Sequence, residues 1–162
     1  MLNYNVKIGL VAMRRNTTDR PRGTFLTWYS AEQRGEKNVD YIEKNFTDKH
    51  VSFVDQRGLG HNDLIFDDKS AADVIERFKK ENVDAVMIIN CNFGNEEAAA
   101  DIAQALGKPV LLWAPLDDEY YVDGMRPTDS QCGLFGVSRQ MQRFNIPFSH
   151  IPCCRVESAE FK

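Results

Sequence analysis

The chain has 162 residues and a mass of 18.5 kDa, the size of one domain with a single core, and 43% hydrophobic residues suffice to fill it. Lys plus Arg number 20 against 24 Asp plus Glu, giving a net charge of -4 and a pI near 5.4, so no basic field attracts nucleic acid or anionic lipid. The longest apolar runs, Val86 to Ile89 and Val110 to Ala114, fall far below the ~20 residues that span a bilayer.

In chain order, Val6 to Ala12 reads as the first strand. The opening residues place Lys7 inside the apolar stretch and Arg14-Arg15 after it, the reverse of a secretory signal, so the chain is expected in the cytoplasm with reduced thiols. A segment from Thr24 to Phe46 has Phe25, Trp28, Tyr29, Val39, Tyr41, Ile42 and Phe46 on helical spacing, with Gly35 as an expected break. Val51 to Val54 is the second strand. Ser70 is the expected cap of a helix carrying Ala71, Ala72, Val74, Ile75 and Phe78 inward and ending at Lys79-Lys80 and Asn82.

Val83 to Asn90 contains the continuous apolar run Ala85 to Ile89, the pattern of a strand covered on both faces, and is expected mid-sheet with Met87 to Ile89 buried. Asn95-Glu96-Glu97 opens an alanine-rich helix to Leu106, Gly107 ends it, and Pro109 leads into a strand from Val110 to Ala114. A long loop from Pro115 to Thr128 precedes a helix running to Phe144, and Phe148 to Pro152 is the fifth strand. Strict strand–helix alternation gives an α/β fold: a three-layer, doubly wound, five-stranded parallel sheet of flavodoxin or Rossmann type, order 2-1-3-4-5. Only Cys153 to Lys162 follow the fifth strand, too few for a further helix, so one edge or face is expected to be covered by another domain or partner.

Ligands of such sheets bind beyond the strands' carboxyl ends. The loop after the first strand carries Arg14, Arg15, Arg20 and Arg22 against Asp19, with Thr17 and Thr18, and reads equally as an anion or polyol site or as a solvated basic loop. No G-x-x-x-x-G-K-[ST] occurs, and Gly58-Leu59-Gly60 neither follows the first strand nor completes a dinucleotide fingerprint. His150, Cys153, Cys154, Cys91 and Cys132 form no C-x-x-C pair, so the thiols read as buried side chains rather than zinc ligands. Among the acid pairs, Asp67-Asp68 and Glu96-Glu97 are helix starts, whereas Asp117-Asp118 lies in a post-strand loop without evident capping duty, which singles out Asp117.

Lys7-Ile8-Gly9-Leu10-Val11 with the arginine loop ending at Arg22-Gly23, the Asn90-Cys91-Asn92-Phe93-Gly94-Asn95-Glu96 turn, Leu112-Trp113-Ala114-Pro115, and Asp123-Gly124-Met125-Arg126 through Asp129-Ser130-Gln131-Cys132-Gly133-Leu134-Phe135 resemble the N-terminal domain of L-fucose isomerase-like proteins, relatives of L-arabinose isomerase. The resemblance covers nearly the whole chain. It implies that residues 1–162 are one α/β domain at the N-terminus of a longer, cytoplasmic, homo-oligomeric aldose–ketose isomerase. It further implies that later domains hold a divalent metal such as manganese, that no cofactor, metal or catalytic residue belongs to this chain, and that this domain lends residues to the sugar pocket of a neighbouring subunit. By position those residues are Arg14, Arg15, Asn92 and Phe93, together with Asp117; whether Phe93 or Cys91 supplies the pocket's third-strand contact stays open. The other reading is a free-standing flavodoxin-like ligand-binding or assembly module without catalysis. Partners on the first reading are the remaining domains, a small-molecule sugar and further copies of the chain, with no nucleic acid and no membrane.

Overall fold

A computed structural model describes residues 4–15, 28–119 and 127–162. The elements are β1 (Val6–Arg14), α1 (Trp28–Phe46), β2 (Val51–Val54), α2 (Asp68–Glu81), β3 (Ala85–Asn92), α3 (Glu96–Leu106), β4 (Val110–Trp113), α4 (Ser130–Arg143) and β5 (Phe148–His150). All four strand pairings are parallel and the order is β2-β1-β3-β4-β5, as the alternation predicts. β3 is central, with Met87 5% exposed and Ile88 and Ile89 fully enclosed.

The two faces of the sheet are covered differently. Right-handed crossovers that move outward from β1 to β2 and then across to β3, β4 and β5 put α1 on one face and α2, α3 and α4 on the other. Val11, Met13, Val86, Ile88, Val110 and Leu112 accordingly pack on residues of those three helices, including Val74, Phe78, Ile102 and Val137. Leu10, Ala12, Met87, Ile89, Cys91 and Trp113 pack on Ala31, Val39 and Ile42 of α1 and on Cys154 and Val156 of the C-terminal tail.

The tail does more than its length suggests. Phe161 meets the Trp113 ring edge-on at 4.6 Å between centroids and lies 5.8 Å from Phe46, while Leu116 N donates to Cys154 O at 3.0 Å. Ten residues thus cover part of the α1 face without a further helix. Among the described residues no strand pairs with the outer edge of β5, where Ser149 and His150 are exposed.

Three local expectations change. Gly35 does not break α1, because a glycine is needed where the helix crosses the sheet: a Cβ there would lie 2.7 Å from Leu64 Cδ2 and 3.5 Å from Ala12 Cβ. Ser70 is not the cap of α2 but its third residue. Asp67 caps the helix by accepting from Ser70 N, and the Ser70 hydroxyl accepts in return from Asp67 N, a reciprocal capping box. Third, β3 begins and ends two residues later than the expected Val83 to Asn90, because its ladder to β1 starts at Ala85 and continues to Asn92. Asn95 caps α3 and Gly107 ends it in the left-handed conformation, both as read from the sequence.

Gly9 fixes the distance between β1 and α2. A Cβ at that position would sit 2.6 Å from Phe78 Cδ2, in a ring with no exposed surface. Gly9→Ala is therefore expected to destabilise the chain by about 1–3 kcal/mol, the usual cost of forcing extra volume into a packed core. Urea denaturation checks this through a lower midpoint at unchanged slope.

Candidate site at the carboxyl edge of the sheet

The ladder between β1 and β3 is regular until its carboxyl end, where Met13 pairs with Asn90 but Arg14 with Asn92. Cys91 is the extra residue of a bulge, a device that redirects side chains at a strand's end. Its thiol turns into the α1 face, fully enclosed, and burial pushes its pKa up to about 12. Of the two candidates in this turn, Phe93 is the one at the surface, half-buried, with the Arg15 guanidinium carbon 5.0 Å from its ring centroid.

Arg14 and Arg15 part company. Arg15 is exposed, whereas Arg14 is 2% exposed, stacks over the Phe66 ring at 4.4 Å and donates from Nη1 to Arg15 O at 2.7 Å. Burial lowers the Arg14 pKa to about 10 against the opposing pull of Glu32 and Asp67, so it stays charged at neutral pH. Arg14 is thus part of the wall rather than of a solvated loop. Asp19, Arg20 and Arg22 lie outside the described residues, as do Thr17 and Thr18 and the Asp123 to Arg126 segment.

Asn92 is 2% exposed and braces the turn. Its Oδ1 accepts from Asp129 N at 3.1 Å, its Nδ2 reaches Pro127 O at 3.4 Å, and its carbonyl accepts from both Arg15 N and Gly94 N. Asn90, one pleat earlier, is wholly enclosed, with Nδ2 3.4 Å from Trp113 O.

Asp117 does have a capping duty, which corrects the sequence reading. Oδ1 accepts from Ser130 N at 2.6 Å and Oδ2 from Gln131 N at 3.3 Å, so the carboxylate serves the free N–H groups of α4. The adjacent Asp129, which occupies the cap position in sequence, makes no side-chain cap bond. A cap 13 residues upstream has no local signature, which is why the spacing hid it.

Arg34 of α1 was not singled out by the sequence, and it organises this edge. Nε donates to Cys91 O at 2.9 Å, Nη2 reaches Pro115 O, Leu116 O and Ser130 Oγ at 3.1–3.2 Å, and Nη1 pairs with Asp118 at 3.0 Å. One guanidinium therefore ties the ends of β3 and β4 to the start of α4. The only available signal was an arginine on the core side of an amphipathic helix, one position before Gly35.

The hollow beside Arg34 measures about 90 Å³, below the roughly 300 Å³ at which ligand pockets begin. A larger one of about 730 Å³ opens at β2 and α2, where several charged groups are already engaged: Arg77 on the Asp55 and Arg57 carbonyls, Glu43 and Asp55 on Arg57. Among the described residues no three His, Cys, Asp or Glu side chains converge as a metal site would require. None of the four cysteines is in a disulfide. Cys91 and Cys154 are buried, Cys153 partly so, but Cys132 is exposed on the outer side of α4, against the expectation of buried thiols throughout. No described helix is long and apolar enough to cross a membrane.

The sequence model of the fucose/sulfoquinovose isomerase N-terminal domain matches residues 18–162. The chain belongs to this family. No curated protein matches it in sequence. Among solved structures, it is similar to an ABC transporter solute-binding protein from Bacillus halodurans C-125 with bound myo-inositol, at 12% identity and TM-score 0.39, covering 95% of this chain and 58% of that one. It is also similar to transcription regulator CcpA of Lactococcus lactis, at 10% identity and TM-score 0.35, covering 90% and 58%. The chain thus spans under two thirds of the length of either.

Two outcomes follow from this geometry. Arg34→Ala removes the donor to the Pro115 and Leu116 carbonyls, one of two donors to the Cys91 carbonyl, which Ser130 Oγ also reaches, and the partner of Asp118, and is expected to cost about 2–4 kcal/mol in urea unfolding. In the folded chain, a thiol reagent at pH 8 is expected to modify Cys132 fast and Cys91 and Cys153 slowly, since burial raises those two to about 12 and about 11. Mass spectrometry of the labelled peptides reads the order, and rapid labelling of Cys91 would refute the placement of β3.

Proposed function

We propose that this family domain works as part of an aldose–ketose isomerase, a cytoplasmic homo-oligomer, and that its carboxyl edge completes the sugar pocket of a neighbouring subunit. The observation that supports this most is the Arg15 guanidinium held over the half-buried Phe93 ring, at the end of the sheet where such folds take ligands. A ring face suits the C–H face of a sugar, and guanidinium N–H groups donate to its hydroxyls in fixed directions. The family's name points to fucose or sulfoquinovose; L-arabinose is a further candidate from the likeness to its isomerases.

The pair binds and orients; it supplies no base. Moving a proton between adjacent carbons requires a carboxylate or similar group, and a divalent ion such as manganese would polarise the carbonyl in enzymes of this kind. The described residues do not fit such an ion, having no convergent donor set, and both Asp117 oxygens serve α4. In this reading the donors and the base belong to the remaining domains of the parent chain. Arg14 acts indirectly, its Nη1 bond to Arg15 O fixing the backbone from which Arg15 extends. Asn92 acts likewise through the turn.

The purified 162-residue chain with manganese is accordingly expected to convert none of L-fucose, L-arabinose or sulfoquinovose; turnover by it would overturn the division of labour. In the parent oligomer, Arg15→Ala is expected to lower kcat/KM about tenfold or more, the worth of one charged donor to a bound hydroxyl, with metal affinity unchanged. Kinetic constants equal to wild type would leave the free-standing binding module as the better account.

A further inference from the structure

The turn that carries Phe93 is held in a conformation its residue disfavours. Phe93 has φ +60°, and Gly94 N donates to Asn92 O at 3.0 Å, closing a three-residue turn around it. A bulky L-residue in the left-handed region is disfavoured by about five- to thirtyfold relative to glycine. The chain nevertheless places phenylalanine there.

What keeps the turn in place is α4. At Gly133, the fourth residue of that helix, a Cβ would lie 2.6 Å from Phe93 Cα and nearer still to its carbonyl carbon and oxygen. Gly133 sits within the helix, where glycine is a poor choice for the backbone, so it is there for room. The segment leading into α4 also locks Asn92, through the Asp129 amide and the Pro127 carbonyl. Two locally unfavourable residues, Phe93 and Gly133, meet at one contact, and the product of that contact is a phenyl ring standing under Arg15.

We propose that Gly133 is a positioning residue: by letting α4 close onto the Asn92–Gly94 backbone, it holds Phe93 in its strained conformation so that the Phe93–Arg15 pair is formed before any ligand arrives. The inference rests on the reading that this pair faces the sugar, since only a site needs such preorganisation.

The test begins on the 162-residue chain. Phe93→Gly and Phe93→Ala both lose the ring, but only glycine escapes the strain, so urea unfolding is expected to favour Phe93→Gly over Phe93→Ala by about five- to thirtyfold in the folding equilibrium. Equal stabilities would overturn the strain. Gly133→Ala is then made in the wild-type and Phe93→Gly backgrounds. A relaxed turn can move aside, so the loss is expected to be at least about tenfold smaller in the second background, a coupling between residues in contact. Folding in the second background alone would support the proposal; equal loss in both, or failure to fold in both, would overturn it.

In the parent oligomer, Gly133→Ala is expected to raise KM at unchanged metal affinity and to add nothing to Phe93→Ala. An additive effect would mean that Gly133 does not act through Phe93, and would overturn the positioning role. If Phe93→Ala alone leaves KM unchanged, it is the sugar-pocket reading that fails, while the stability cycle in the chain still decides the role of Gly133.

Discussion

Everything at the carboxyl edge of this sheet hangs on one guanidinium. A parallel sheet ends in loops that leave several strands side by side, each with carbonyl groups past its last ladder bond, and burying them without donors costs about 1–3 kcal/mol apiece. Arg34 meets that demand for the ends of both β3 and β4 and reaches Ser130 at the start of α4. Its side chain is 11% exposed, and Asp118 at 50% exposure balances its charge from the solvent side. The ion pair itself contributes little at that exposure; the hydrogen bonds to the carbonyls past the strand ends, one of them shared with Ser130 Oγ at Cys91, are the larger effect. Asp117, next in sequence, takes the N–H groups of α4, so adjacent carboxylates serve opposite kinds of partner.

The second constraint is the unequal clothing of the two faces. With order 2-1-3-4-5, three crossovers deliver their helices to one face and a single crossover delivers α1 to the other. A fifth helix would fill the vacancy beside α1, over β3 and β4. Here the tail does it with few residues but large ones: Val156 is buried and Phe161 packs on Trp113, itself fully enclosed. The same tail hydrogen-bonds to Leu116, so the segment that leaves the sheet is joined to the loop that Arg34 holds. Burial of the α1 face and the shape of the carboxyl edge are in this way one problem.

How much of this the sequence shows depends on the range of the interaction. Strand order, the central place of β3, the Asn95 cap and the Gly107 stop are legible because apolar periodicity and capping chemistry act over a few residues. The bonds that shape the site span far more: 57 positions from Arg34 to Cys91, 96 from Arg34 to Ser130, 13 from Asp117 to Ser130. No local pattern marks such a pair. Neither the bonds of Asp117 nor the role of Arg34 has a local mark, whereas the turn with Asn92 and Phe93 is marked by the family resemblance and its place after β3. Gly35 misled for a related reason, since its meaning lies in Leu64 and Ala12 rather than in α1.

The neighbouring arginines show why position cannot assign roles. Arg14 ends β1 and points inward to lie over Phe66, where it forms part of the wall. Arg15, one residue on, is carried outward to the Phe93 ring. The extra residue that makes the bulge is Cys91, and the carbonyl of Cys91 is what Arg34 Nε holds. A regular ladder would give that carbonyl to β1 and leave Arg34 without its anchor on β3. The bulge therefore supplies the acceptor through which α1 fixes the edge on which the two arginines stand.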